Sequence, residues 1–163
     1  MKYSWFLGIG LIVFGSDQIT KWLVAKYLIP YKDMIKLTSF LNLIHIRNTG
    51  AAFGIFAENQ SFIKEVFLLL LTAIAILALF FYLYRTKDIN SLKIIACGLI
   101  LGGALGNFVD RLFMGEVIDF IDFHIGKHHW PAFNIADSAI SIGIFLLLLN
   151  LAIQDTGKRA ELN

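Results

Sequence analysis

The polar residues of this chain gather in clumps between long apolar stretches, and four of those stretches, 3–24, 62–84, 92–113 and 135–154, are almost continuously apolar. At 1.5 Å of rise per residue, about 20 such residues in a helix cross a bilayer's hydrocarbon core. The pattern predicts a mainly α, polytopic membrane protein of four transmembrane helices, a single integral membrane domain over 1–163, with no room for a fifth span. Helices 2 and 3 are joined by a short polar link, Arg85-Thr-Lys-Asp-Ile-Asn-Ser91, whereas longer amphipathic segments fill 25–61 and 114–134. Four up-and-down spans put both termini and the short link on one side and the two long loops on the other. Basic residues are nearly balanced between the sides. The 85–93 link, with three basic residues against one acid beside two helix ends, favours the cytoplasm for itself and for the termini.

The loops carry their own signals. Phe40-Leu-Asn-Leu-Ile-His-Ile-Arg47 partly alternates and is rich in β-branched residues, so it reads as a strand, with Asn48-Thr-Gly50 as a turn. A small extracytoplasmic β-cradle on the membrane surface is expected, with His45 as a surface residue of its strand. Trp22 and Trp130 fall at helix ends, where indole rings anchor at the headgroup level. Residues 53–59 and 25–38, small or amphipathic, are candidate flaps over a site. The first apolar run resembles a secretory signal, but Asp17-Gln18 follows it and no small-x-small pattern precedes Lys26. A retained helix is expected. No cysteine ends that run, so lipidation of the chain itself is not expected.

Bulk composition supports this reading. Of 163 residues 58% are hydrophobic and 16% charged, and the mean hydropathy is +0.72, too apolar for a water-soluble domain of this size. A net charge of +2 without a basic tract argues against nucleic acid as a partner. The single cysteine, Cys97, excludes an intrachain disulfide and a paired-thiol metal or redox site.

The ionisable and amide residues near the spans are one-ended. Asp17 and Lys21 lie late in helix 1, Asn107, Asp110 and Arg111 close helix 3, and Asn134, Asp137 and Ser138 open helix 4. Up-down topology brings these three ends into one leaflet, with Asp119 and Asp122 in the loop beside them. Spacings of three and four place each set on one helical face. Because a charge at the bilayer centre costs about 2.5–3.5 kcal/mol on insertion scales, such faces turn inward and meet. Asp17 with Lys21 and Asp110 with Arg111 read equally as neutralised structural pairs, and the asparagines as interhelical hydrogen-bond donors. Asp119 and Asp137 have no basic residue at helical or strand spacing, and intramembrane carboxylates without a partner point to function. Two carboxyls in a low-dielectric site share one proton, supplying an acid and a base together. One can take a proton from water attacking a peptide carbonyl, the other protonate the leaving nitrogen. No metal, cofactor or covalent nucleophile is needed.

Arg47-Asn-Thr-Gly-Ala-Ala-Phe-Gly54, Gly106-Asn-Phe-Val-Asp-Arg111, Val117-Ile-Asp-Phe120 and Phe133-Asn-Ile-Ala-Asp137 resemble, in order and spacing, the motifs of lipoprotein signal peptidase, also called signal peptidase II. The resemblance runs from Asp17 to about Gly143. It implies a membrane aspartic endopeptidase that removes the signal peptide from diacylglyceryl-modified bacterial prolipoproteins, cutting before the lipidated cysteine. It also implies Asp119 and Asp137 as the catalytic dyad, and Asp17, Lys21, Asn48, Asn107, Asp110, Arg111 and Asn134 as residues that shape the site or contact substrate. Location in the bacterial cell membrane, with the active site near the outer face and contact with membrane lipid, and inhibition by globomycin-type cyclic peptides are further implications. A signal helix arriving laterally would hold its scissile bond at one depth, where Asp119 and Asp137 are expected. Acid and base roles stay open.

Other chemistries are weaker. His124, His128 and His129 suggest a zinc site, but Gly126 interrupts them, Trp130-Pro131 follows, and no HExxH-type glutamate lies between them. Ser16 or Ser138 with Lys21 would need a neutral lysine, which Asp17 one turn away disfavours. Gly98, Gly102 and Gly106 form a small-residue stripe suited to close helix packing. A transporter would carry polar residues through the full membrane depth and an internal repeat, and the sequence has neither.

Overall fold

The computed structural model describes residues 2–50, 62–86 and 90–160. Within them run α1 (Lys2–Tyr27), β1 (Met34–Lys36), β2 (Leu41–Asn48), α2 (Phe62–Arg85), α3 (Ser91–Met114), β3 (Val117–Ile125), β4 (His128–His129) and α4 (Ile135–Ala160). All four helices are long and apolar enough to span a membrane. Each covers its predicted span and extends it by up to six residues, as polar ends continue the backbone ladder beyond the apolar window.

Helix α3 is the hub. It packs most extensively against α4 and α1 and less against α2, and most of its length is buried, unlike the other three. The glycine stripe explains the closeness. A Cβ on Gly98 would lie 2.8 Å from Ile9 Cβ, and one on Gly102 would lie 2.5 Å from the carbonyl oxygen of Gly10. On the α4 side Gly103 abuts the backbone of Ala136, and a Cβ on Gly143 would lie 2.7 Å from the Ala96 carbonyl oxygen. Small residues thus let the backbones touch, the arrangement by which helices associate where no hydrophobic effect separates helix from lipid. Large apolar residues such as Leu11, Leu77 and Phe145 point outward and are exposed, as a lipid-facing surface requires. Asn90 caps α3, accepting the Lys93 backbone N–H at 2.9 Å, and Gly115 ends it at φ 70°.

The ends of α1 and α3 carry an antiparallel sheet in the order β1-β2-β3-β4, with Ile135 at the start of α4 packed against the apolar cluster between α1 and the sheet. Val24 and Leu28 of α1 pack against Ile118 and Phe120 of β3, fixing the sheet to the bundle. The predicted strand at 40–47 is β2. The stretch 25–38, expected as a flap, contributes β1, paired to β2 from Met34↔Ile44 to Lys36↔Asn42. The other expected flap, 53–59, lies outside the described residues. Strand β3 was not anticipated within the 114–134 loop, although Val117-Ile-Asp-Phe-Ile-Asp-Phe-His-Ile125 is rich in β-branched and aromatic residues.

One expectation is overturned. His45 is among the most deeply buried side chains, 1% exposed, not a surface residue. The register of β2 on β3 shifts between Leu43↔Ile121 and Ile46↔Asp119, a bulge that puts one extra residue on β2. Simple alternation therefore fails, and Asn42 and His45, three apart, are both buried. The His45 ring is tied through Nδ1 to the Leu28 carbonyl at 2.8 Å, holding the end of α1 on the sheet.

Candidate active site

Two polar layers meet where α1, α3, α4 and the sheet converge. The first is built on Lys21, which is 2% exposed. Its Nζ lies 2.7 Å from Asp17 Oδ2 and 2.6 Å from Asp110 Oδ2, and it donates to Asn107 Oδ1 at 3.0 Å. Asp17 also accepts the Ala136 backbone N–H at 2.9 Å, in the first turn of α4. Gln18 donates to Asp110 Oδ1 at 2.9 Å and to the Gly106 carbonyl at 3.3 Å. Gly106 is what admits this cluster, since a Cβ there would lie 2.5 Å from Asp17 Oδ2.

This layer corrects the expected pairing of Asp110 with Arg111. Neighbours in sequence point about 100° apart around a helix. Asp110 turns inward to Lys21, while Arg111 donates to the carbonyl oxygens of Asn107 and Gly50, both at 3.3 Å. Lys21 is thus shared by two carboxylates and unsuited to deprotonating a serine.

The second layer holds Asp119 and Asp137, and Asn107 joins it to the first. Asn107 Nδ2 donates to Asp137 Oδ1 at 2.8 Å, while its Oδ1 faces Lys21. Asn134 lies just outside α4 rather than on its face. Its Oδ1 accepts the Asp137 backbone N–H at 2.9 Å, and its own N–H donates to Asp137 Oδ2 at 3.3 Å. That reciprocal capping box fixes Asp137 at the positive end of the helix. The Asn134 amide also donates to Asp119 Oδ1 at 2.7 Å, and Asn48 Nδ2 donates to Asp119 Oδ2 at 2.9 Å. Asn48 reaches Asp119 as a diagonal cross-strand neighbour, because the bulge has set Ile46 opposite Asp119.

Asp119 is 2% exposed. Burial, then the nearby charge of Asp137, pushes its carboxyl from the ordinary 3.8 up to about 7, against the opposing amide hydrogen bonds of Asn48 and Asn134. Both carboxyls line one open cavity of about 320 Å³, with Asn48, the segment Trp130 to Phe133, Ser138, Ser141 and Ile142. The nine sequence-predicted site residues therefore fall into one connected network. Gln18 and the backbone of Ala136 were missed, because both act through partners far along the chain.

The histidines are engaged elsewhere. His124 and His129 stack with ring centroids 4.8 Å apart, and His129 Nδ1 lies 2.7 Å from Asp122 Oδ1. Among the described residues no three His, Cys, Asp or Glu side chains converge as metal ligands would.

The family model described as Signal peptidase (SPase) II matches residues 9–153. A lipoprotein signal peptidase of Francisella tularensis subsp. novicida is 40% identical over 147 residues, 90% of either chain. That of Syntrophus aciditrophicus is 42% identical over 140 residues, 86% of this chain and 87% of its own. A bacterial membrane enzyme solved by the in meso method at 2.3 Å resolution superposes with a TM-score of 0.83 at 37% identity, over 94% of this chain and 90% of its own. The four spans, the small antiparallel sheet and these matches agree: the chain is a membrane peptidase belonging to the signal peptidase II family.

Proposed function

We propose that this protein removes the signal peptide from diacylglyceryl-modified bacterial prolipoproteins, cutting before the lipidated cysteine, and that Asp119 and Asp137 activate the water. The whole chain acts as one membrane domain. The observation that carries the reading is the sharing of Asn134 and of one cavity by two carboxyls; burial and the charge of Asp137 push Asp119 up to about 7, which favours its carrying the shared proton. Asp137 then takes the proton from the attacking water. Protonated Asp119 stabilises the oxyanion and, as the C–N bond breaks, passes its proton to the leaving nitrogen. Asn107 and Asn134 orient Asp137, and Asn48 and Asn134 orient Asp119. The Asp17–Lys21–Asp110 cluster ties α1, α3 and α4 into the frame on which the pair sits. Arg111 holds the chain at Gly50, where the segment from β2 to α2 begins.

With the termini in the cytoplasm the cavity lies near the outer face. There a signal helix can enter sideways from lipid while its acylated cysteine holds the scissile bond at the interface. Globomycin-type cyclic peptides are expected to occupy the same cavity. The test is cleavage of a lipidated prolipoprotein in detergent or liposomes by Asp119→Asn and Asp137→Asn, each expected to fold and to be inactive. Cleavage at near wild-type rate by either removes the dyad assignment.

A further inference from the structure

A second buried polar set lies on β2, β3 and β4, apart from the network around Asp119. Asn42 Nδ2 donates to Asp122 Oδ2 at 2.7 Å, and His129 Nδ1 meets Asp122 Oδ1 at 2.7 Å. Asn42 and Asp122 are direct cross-strand partners. Asp119 and Asp122 stand three positions apart on one strand, so their side chains leave the sheet on opposite faces. Asn42 and Asp122 are buried, at 3% and 6% exposed, whereas His129 is half-exposed. Burial alone would raise the Asp122 carboxyl, but hydrogen bonds from Asn42 and His129 and the nearby imidazoles hold it below the ordinary carboxylate value.

His129 is also the last residue before Trp130-Pro-Ala-Phe133, the four residues that make one wall of the cavity. The far end of that wall is Asn134, bonded to Asp119. Between the ends, Trp130 N–H donates to the Phe123 carbonyl at 2.8 Å, and Phe133 exchanges hydrogen bonds with Ile121. Pro131 lacks an N–H and stiffens the span. The wall is thus a short strap pinned at one end to the reacting carboxyl and at the other to Asp122.

We propose that His129 and Asp122 are positioning residues that set this wall against the substrate, so that protonation of His129 tightens the substrate-binding side of the cavity. The proposal rests on the reading above that the cavity takes the prolipoprotein. Among the described residues the titratable groups seen in contact with His129 are Asp122 and His124 from β3; Lys127 and His128 flank it in sequence on its own hairpin, and β2 contributes the neutral Asn42 through Asp122. An imidazolium at His129 turns its bond to Asp122 into a charge-assisted one.

The test uses the full chain in detergent with Trp5→Phe and Trp22→Phe, leaving Trp130 as the only tryptophan, and reads both kinetics and fluorescence. His129→Gln and Asp122→Asn are expected to raise KM for a lipidated prolipoprotein peptide about three- to tenfold, with kcat within about twofold. Acrylamide quenching of Trp130 should be weaker at about pH 5.5 than at about pH 8, across the range where imidazoles change charge. That step should persist in Asp119→Asn and in His128→Gln and vanish in His129→Gln. An unchanged KM in His129→Gln, or a quenching step that survives it, overturns the proposal. Active Asp119→Asn would overturn the dyad and leave the Trp130 readout standing.

Discussion

Asn134 donates its side-chain amide to Asp119 at 2.7 Å and its backbone N–H to Asp137 at 3.3 Å, so one residue sets the placement of both carboxyls. Asn134→Ala removes the side-chain cap that accepts the Asp137 backbone N–H and the hydrogen bond to the Asp119 carboxyl, while the backbone bond to the Asp137 carboxyl remains. It should lower kcat at least about tenfold and stability by about 1–2 kcal/mol, measured by prolipoprotein turnover and by melting in detergent. Loss of stability without loss of kcat would reduce Asn134 to a cap.

The raised pKa of Asp119 gives a signed pH dependence. Its folded value of about 7 lies above the ordinary 3.8, so between those values the folded state binds more protons than the unfolded one. Its contribution to stability is most favourable below about pH 4, declines as pH rises through the window and is fully unfavourable above about pH 7, a swing of a few kcal/mol in order of magnitude. Melting temperature against pH should show this decline in the wild type and a flatter profile in Asp119→Asn. Turnover should fall as pH rises past about 7, where Asp119 loses the proton it donates.

Lys21→Met strands Asp17 and Asp110 in a buried layer. It should cost about 3–5 kcal/mol, the range for breaking a buried ion pair from one side. The triple variant Asp17→Asn, Lys21→Met, Asp110→Asn should recover part of the loss, because no uncompensated charge remains. Chemical or thermal unfolding in detergent tells the two apart, and equal destabilisation would show that Lys21 acts by packing rather than charge.

Glycines of α1 and α3 divide by what a methyl would meet. Gly102→Ala drives a Cβ towards the Gly10 carbonyl at 2.5 Å, and an overpacked contact costs about 1–3 kcal/mol. Gly8→Ala has nothing within 4 Å and should be neutral or stabilising by about 0.5–1 kcal/mol. Paired melting curves suffice.

The helices were legible in the sequence because each apolar run exceeds what a soluble core would need. The one-ended clustering of carboxylates was legible because alternation of spans makes depth a function of position. Pairing across the chain was not. Lys21 bonds residues 86 and 89 positions away, and adjacency in sequence wrongly suggested Arg111 for Asp110. His45 escaped because one bulge reverses the inside–outside rule of β2. Strand β3 was hidden because Asp119 and Asp122 interrupt its apolar run and both are buried, so no alternation marks it. Gln18 escaped because an uncharged amide beside an aspartate carries no signal until its partner on α3 is known.

Gly106 has no chemical group to offer, yet the oxygen of Asp17 occupies the space a methyl would fill. A random substitution survey of this protein would therefore find intolerance on a bare helical backbone, several residues from any reacting atom. A map of what the enzyme cannot lose would be wider than a map of what it uses.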